Sequence, residues 1–172
     1  NMLKSTATLI GASALSGSSS SLFAQSSGAG SGASNGALQK GMFGFMLAHE
    51  QFPVPQLVDL AVAAENAGFD LLATSDHLQP WQANEGHAGE AWVTIGAITQ
   101  KTKHVWIGPA VTCPTIRYTP AVVAEAFVSL SLLAPGRIFL GIGSGEALNE
   151  QAGTGMWPKW QERSDRLVEA TE

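Results

Sequence analysis

The stretch Gly68-Phe69-Asp70-Leu71-Leu72-Ala73-Thr74-Ser75-Asp76-His77-Leu78-Gln79-Pro80-Trp81 decides how the chain is read. Its first half has the apolar run of a buried strand, and its second half turns polar where that strand stops. In parallel α/β proteins, ligands bind at the carboxyl ends of the strands. Asp76, His77 and Trp81 there offer a hydrogen-bond acceptor, an imidazole and a flat aromatic surface. Alone, they read equally well as a helix cap, a loop histidine and a packed indole. The flanking sequence decides between the two.

Upstream, Met42 to Leu47 is a short apolar strand running into Ala48-His49-Glu50. From Gln56, the residues Leu57, Leu60, Ala61 and Ala64 fall at helical spacing, and Gly68 closes that helix. Downstream, Gln82 to Glu90 is a polar loop. Ala91 to Lys101 has helical composition, with Lys101 and Lys103 as cations suited to a helix C-terminus. Val105 to Val111 is a third strand. Thr119-Pro120 makes an N-cap and first turn, and Val122, Val123, Ala126, Phe127, Leu130 and Leu133 are expected on the buried face of the next helix. Pro135-Gly136 stops it. Arg137 to Gly141 is a fourth strand, and Trp157 to Glu172 begins a fourth helix.

The order is therefore βαβαβαβα, with a repeat of βα-unit length. It predicts an α/β fold: a (β/α)8 TIM barrel cut to about its first four units. The competing architecture is a small doubly wound sheet. The barrel is favoured because polar groups follow every strand: His49 and Glu50; Asp76, His77 and Trp81; Cys113 and Thr115; Ser144, Glu146 and Asn149. Parallel strands would bring them to one rim. Half a barrel leaves unpaired strand edges, so a truncated sequence is expected, with closure by a second copy as the alternative.

Composition narrows the function. Net charge is −5, pI about 5.3, and basic runs are absent, which argues against nucleic acid. The single cysteine, Cys113, excludes an internal disulfide and a CxxC metal site. The four histidines have no metal-ligand spacing, so no metal is expected. Residues 1–40 hold eleven Ser and six Gly against two charged side chains, Lys4 and Lys40. Lys4, the apolar run Thr6 to Leu15 and the small residues before Ala24 read as an export signal over 1–24. A Gly/Ser-rich linker over 25–40 follows, and the catalytic domain occupies 41–172. Asn1-Met2-Leu3-Lys4 is similar to the second half of a twin-arginine signal, whose arginines would lie before Asn1.

Gly141-Ile142-Gly143-Ser144-Gly145-Glu146 fails the dinucleotide fingerprint, because Glu146 stands where the third glycine belongs. Its glycines imply close backbone approach, either to a flat cofactor or to a neighbouring loop. His77 and Glu146 could face one ligand as a proton-taking and proton-giving pair. Cys113 reads as structural. Redox work would need a bound cofactor.

Three motifs carry a resemblance: Ser75-Asp-His-Leu-Gln-Pro-Trp81, Val111-Thr-Cys-Pro-Thr-Ile-Arg-Tyr-Thr-Pro-Ala121, and Gly141-Ile-Gly-Ser-Gly-Glu-Ala-Leu-Asn-Glu150. Together they resemble the luciferase-like family of (β/α)8 proteins, and within it the branch that uses the deazaflavin coenzyme F420. The export signal makes the chain resemble the exported hydroxymycolic acid type more than the cytoplasmic sugar-phosphate type. The resemblance implies a dehydrogenase moving hydride between a secondary alcohol, a hydroxy-lipid or a small molecule of sugar-phosphate type, and F420. It implies that His77 takes the alcohol proton, that Trp81 lines the site, that Glu146 serves the reduced ring, and that Glu50 is a nearby carboxylate. Asp76 would contact the ring, and Asn149 would lie on the cofactor side. Gly143 and Gly145 would belong to the cofactor loop, and Ala110-Val111 would form a non-prolyl cis peptide against the ring. The full-length protein is expected to be a homodimer. The alternatives are an FMN-dependent monooxygenase of the same superfamily and a non-catalytic cofactor-binding barrel.

Overall fold

The computed structural model describes residues 8–10, 38 and 40–172. The expected export signal and linker fall outside these residues except for Thr8–Ile10, Leu38 and Lys40. Thr8–Ile10 forms a strand, β1. The folded body then runs β2 (Gly44–Leu47), α1 (Val54–Asn66), β3 (Leu71–Thr74), α2 (Ala91–Thr99), β4 (Trp106–Pro109), α3 (Pro120–Leu133) and β5 (Leu140–Ile142). A π-helical turn, Ala147–Gln151, follows, then a single turn α4 (Ala152–Thr154) and the helix α5 (Trp160–Glu169).

Strands β2, β3 and β4 form a parallel sheet in that order, with Leu47 beside Thr74 and Thr74 beside Pro109. β5 continues the parallel order beside β4 through bridges at Ile107–Ile138 and Thr112–Ile142. Its own residues Leu140–Ile142 also pair antiparallel with β1. Each strand of the body thus lies beside the one before it in sequence. That is the winding of a barrel; a doubly wound sheet reverses direction at a switch point. Close approach of β4 and β5 requires glycine on both sides: a Cβ on Gly108 would sit 1.9 Å from the Phe139 carbonyl oxygen, and one on Gly141 2.4 Å from that of Pro109.

The core lies between sheet and helices. Leu47, Leu72 and Ile107 of the strands meet Leu57, Ala61 and Ala64 of α1, Ile95 and Ile98 of α2, and Val123, Phe127 and Leu130 of α3. Fully burying each leucine or isoleucine contributes roughly 1.5–3 kcal/mol. Two expectations are corrected. Val122 and Leu133 are half exposed, because the buried stripe of α3 follows 123, 127 and 130, and Val122 sits about 100° round the helix from Val123. The cations at the end of α2 also work differently. α2 stops at Thr99 with no basic residue in its last turn. Arg137, from the approach to β5, donates instead to the carbonyls of Thr99 (3.2 Å), Thr102 (3.1 Å) and Val105 (3.1 Å). Glu65 of α1 accepts the backbone N–H groups of Lys103, His104 and Val105 at 2.8, 2.6 and 3.1 Å. Burial alone would raise the Glu65 carboxyl, but these donors outweigh it and hold it below its ordinary range.

Candidate active site

The loops after β3, β4 and β5 meet at the carboxyl edge of the sheet around an open cavity of about 430 Å³. Asp76, His77, Ala110, Val111, Gly143, Gly145, Glu146 and Asn149 all line it. Glu50 and Trp81 do not; they contact His77 instead.

His77 follows β3 and keeps about a quarter of its side chain exposed. Its Nδ1 pairs with Glu50 Oε1, at the end of β2. Its Nε2 lies 4.0 Å from Glu146 Oε2. Trp81 stacks on the imidazole with ring centroids 5.5 Å apart and planes 20° apart. The ring is thus held on one nitrogen and one face, while the other nitrogen points toward the cavity. Glu50 is buried, and its second oxygen accepts from Ser75 Oγ at 3.0 Å.

Asp76, one residue earlier, is in a different position. Its buried carboxylate accepts from Thr112 Oγ1 (2.6 Å), Arg117 Nη2 (2.8 Å) and Tyr118 OH (3.2 Å). Arg117 also donates to the Asp76 carbonyl at 2.9 Å, and its backbone N–H donates to Glu150 at 3.0 Å. Trp92 completes the cluster, donating to Thr112 at 3.2 Å and packing on Tyr118 at 4.2 Å. Burial pulls the Arg117 guanidinium down, but Asp76, Tyr118 and Glu150 outweigh it and hold it above its ordinary value. Burial, aided by Asp76, pushes the Tyr118 phenol far up, so it stays a donor. Of roughly four acceptor sites on a carboxylate, Asp76 has one left.

Asn149 sits in the π-helical turn, buried, and joins two loops. Its Oδ1 accepts from the Leu78 N–H at 2.8 Å and the Gln79 N–H at 3.3 Å. Its Nδ2 donates to Glu146 Oε2 at 3.2 Å. Gln79 Nε2 returns a bond to the Leu148 carbonyl at 2.6 Å. The loop carrying His77 and the turn carrying Glu146 are therefore one unit.

The glycines find a reason inside the protein. A Cβ on Gly143 would meet Val111 Cγ2 at 2.6 Å; one on Gly145, whose φ is +80°, would meet Glu150 Cγ at 2.7 Å and Cys113 Sγ at 2.9 Å. Both answer to a neighbouring loop and also leave the cavity wall nearly bare of side chain. The Ala110–Val111 peptide is cis. Cys113 is buried, and burial pushes its thiol up.

Sequence reasoning missed Ser75, Thr112, Arg117, Tyr118 and Glu150 as site residues. Arg117 and Tyr118 stand inside one of the quoted motifs, so the signal was the motif itself. It also missed Trp160, Ser164 and Leu167 of α5, which line the cavity and carry no local signal.

Parallel βα units wound in sequence order, with a histidine between two carboxylates at the strand ends, define a barrel-type α/β protein. Within that class the chain belongs to the luciferase-like monooxygenase family, whose model matches residues 25–172. It is 54% identical over 127 residues to an F420-dependent hydroxymycolic acid dehydrogenase of Mycobacterium tuberculosis, covering 74% of this chain and 35% of that protein. It is 51% identical over 129 residues to an F420-dependent glucose-6-phosphate dehydrogenase of Gordonia bronchialis, covering 74% and 38%. Among solved structures, an F420-dependent secondary alcohol dehydrogenase in complex with an F420-acetone adduct superposes with a TM-score of 0.74 at 39% identity, covering 77% of this chain and 40% of that one. The chain spans well under half the length of the relatives it matches.

Proposed function

We propose that this protein is an F420-dependent oxidoreductase that moves hydride between a secondary alcohol and the deazaflavin. The observation that carries this reading is His77, braced by Glu50 and Trp81 with its second nitrogen turned to the cavity and Glu146. The cavity fits such a cofactor. Its volume lies in the range of roughly 300–1,000 Å³ common for small-molecule sites, and Gly143, Gly145 and the Ala110–Val111 main chain let a flat ring come close. Ala110, Val111, Gly143, Gly145 and Asn149 would hold it, with the one open acceptor site of Asp76. Coenzyme F420, when bound, supplies the two-electron hydride acceptor.

The chain's own residues handle the protons. Pairing of Nδ1 with Glu50 leaves Nε2 of His77 as the base for the alcohol hydroxyl, and Glu50 steadies the imidazolium that forms. Trp81 keeps the ring plane fixed. Glu146, half exposed and oriented by Asn149, is the second proton-handling group. The substrate class rests on the relatives, whose names carry a hydroxy acid, a sugar phosphate and a secondary alcohol. Export to the cell envelope is part of this reading and rests on the Lys4-to-Ala24 pattern; the amino-terminal sequence of secreted protein should begin after Ala24. The decisive experiment is fluorescence titration of the full protein with F420, with FMN in parallel. Saturable binding of F420 is expected, and preference for FMN would overturn the reading.

A further inference from the structure

Ser75 lies at the end of β3 and is buried. Its Oγ accepts the backbone N–H of His49 at 2.9 Å and lies 3.0 Å from Glu50 Oε2. A serine hydroxyl has one proton to give. With a main-chain N–H on its acceptor side, that proton points to Glu50. Glu50 thus accepts from Ser75 at Oε2, while its Oε1 lies in close contact with His77 Nδ1. A carboxylate held against Nδ1 favours a proton on that nitrogen and leaves Nε2 as the bare one toward the cavity. The main-chain anchor matters because β2 and β3 are paired there, Leu47 beside Thr74, so the hydroxyl is fixed to the sheet and not to a mobile loop.

We propose that Ser75 is a positioning residue: it locks the Glu50 carboxylate in place and through it sets the tautomer of His77. Ser75 does not line the cavity and acts only through Glu50. The inference rests on the reading of His77 as the base, but its test does not depend on cofactor binding. The full protein is labelled with 15N-histidine and the ring nitrogens are followed by NMR, with His77 assigned by its loss in His77→Asn. In the unsubstituted protein His77 should carry its proton on Nδ1 alone. In Ser75→Ala the two tautomers should mix. The value of kcat should fall about tenfold, the scale of one hydrogen bond to a charged group, with KM and F420 affinity changed by less than about twofold. Ser75→Thr, which keeps the hydroxyl, should restore both the single tautomer and kcat. A proton on Nε2 in the unsubstituted protein would overturn the proposal even if Ser75→Ala does not fold. So would an unchanged tautomer in folded Ser75→Ala. Absence of F420 binding with a Nδ1 proton sensitive to Ser75 would sink the functional reading and leave the positioning role intact.

Discussion

Asp76 and His77 are neighbours in sequence and line the same cavity, yet their surroundings are opposites. The Asp76 side chain is 2% exposed and anchored by three donors from the loop after β4. His77 is 24% exposed, braced on one nitrogen and open on the other. Successive residues leaving a strand point to opposite sides, so the Asp76 carboxylate falls among the donors of the loop after β4 and the His77 imidazole between Glu50 and Glu146. The difference separates scaffold from chemistry. A group whose hydrogen bonds are nearly all used inside the protein cannot trade protons without disturbing the fold, while one with a free, oriented nitrogen can.

The contrast makes opposite predictions for the two residues. His77→Ala should lower turnover by about 10²–10⁴-fold, the usual contribution of a positioned acid–base group, while F420 affinity and thermal stability stay close to the parent. Equal losses of turnover and stability would place His77 in the scaffold. Asp76→Ala should instead lose stability first, together with the one cofactor contact its open acceptor site would make. It leaves the Arg117 guanidinium with the main-chain carbonyl of residue 76 and one carboxylate, Glu150, at 3.9 Å, and losing one partner of a buried ion pair costs about 3–5 kcal/mol. Urea unfolding reads this directly, and an unchanged midpoint would dissolve the distinction.

Asn149 tests the seam between the two regions. Asn149→Ala removes the acceptor for two backbone donors, Leu78 and Gln79, and the donor that orients Glu146. Unsatisfied buried groups cost about 1–3 kcal/mol. Both stability and turnover should therefore fall, each less than in the single-purpose substitutions. A loss in stability alone would assign Asn149 to the scaffold and free Glu146 from its influence.

The sequence made His77 and Glu146 visible because each follows a strand whose apolar run ends abruptly, and position after a strand is a local property. The barrel-like order was legible for the same reason, from four apolar runs alternating with helical spacing. What stayed hidden depends on distance. Thr112, Arg117 and Tyr118 reach Asp76 from 36 to 42 residues away; the motif that holds them marks the segment but not its meeting with Asp76. Arg137 closing the end of α2 is the same case: Lys101 and Lys103 were the local candidates, but the carbonyls faced a cation from another unit. Val122 looked like core because it is apolar, and the helix places it off the buried stripe. The glycines of Gly141 to Gly145 were ambiguous because a bare backbone looks the same in sequence whether a cofactor or a loop lies against it.

His49 offers the smallest and most specific test. It adjoins Glu50 in the chain, and its side chain is fully buried behind the site. Burial lowers its pKa below the ordinary 6.5, while the carboxylates of Glu50 and Asp76 work against burial and His77 works with it. In the unfolded chain His49 takes up a proton near its ordinary value; in the folded protein it resists. Between those two values the unfolded state binds more protons, so acidification favours unfolding. The stability that His49 contributes is complete above the ordinary imidazole value and is lost as pH falls through the lower, folded value. Unfolding free energy measured from neutrality downward should therefore decline from about pH 6.5 in the parent and decline less in His49→Phe, which fills the same space without a titrating group. The effect should be modest, because two carboxylates oppose burial at this position. Identical slopes in the two proteins would show that His49 keeps its proton when folded, and would move it from the neutral packing behind Glu50 into the charged side of the comparison.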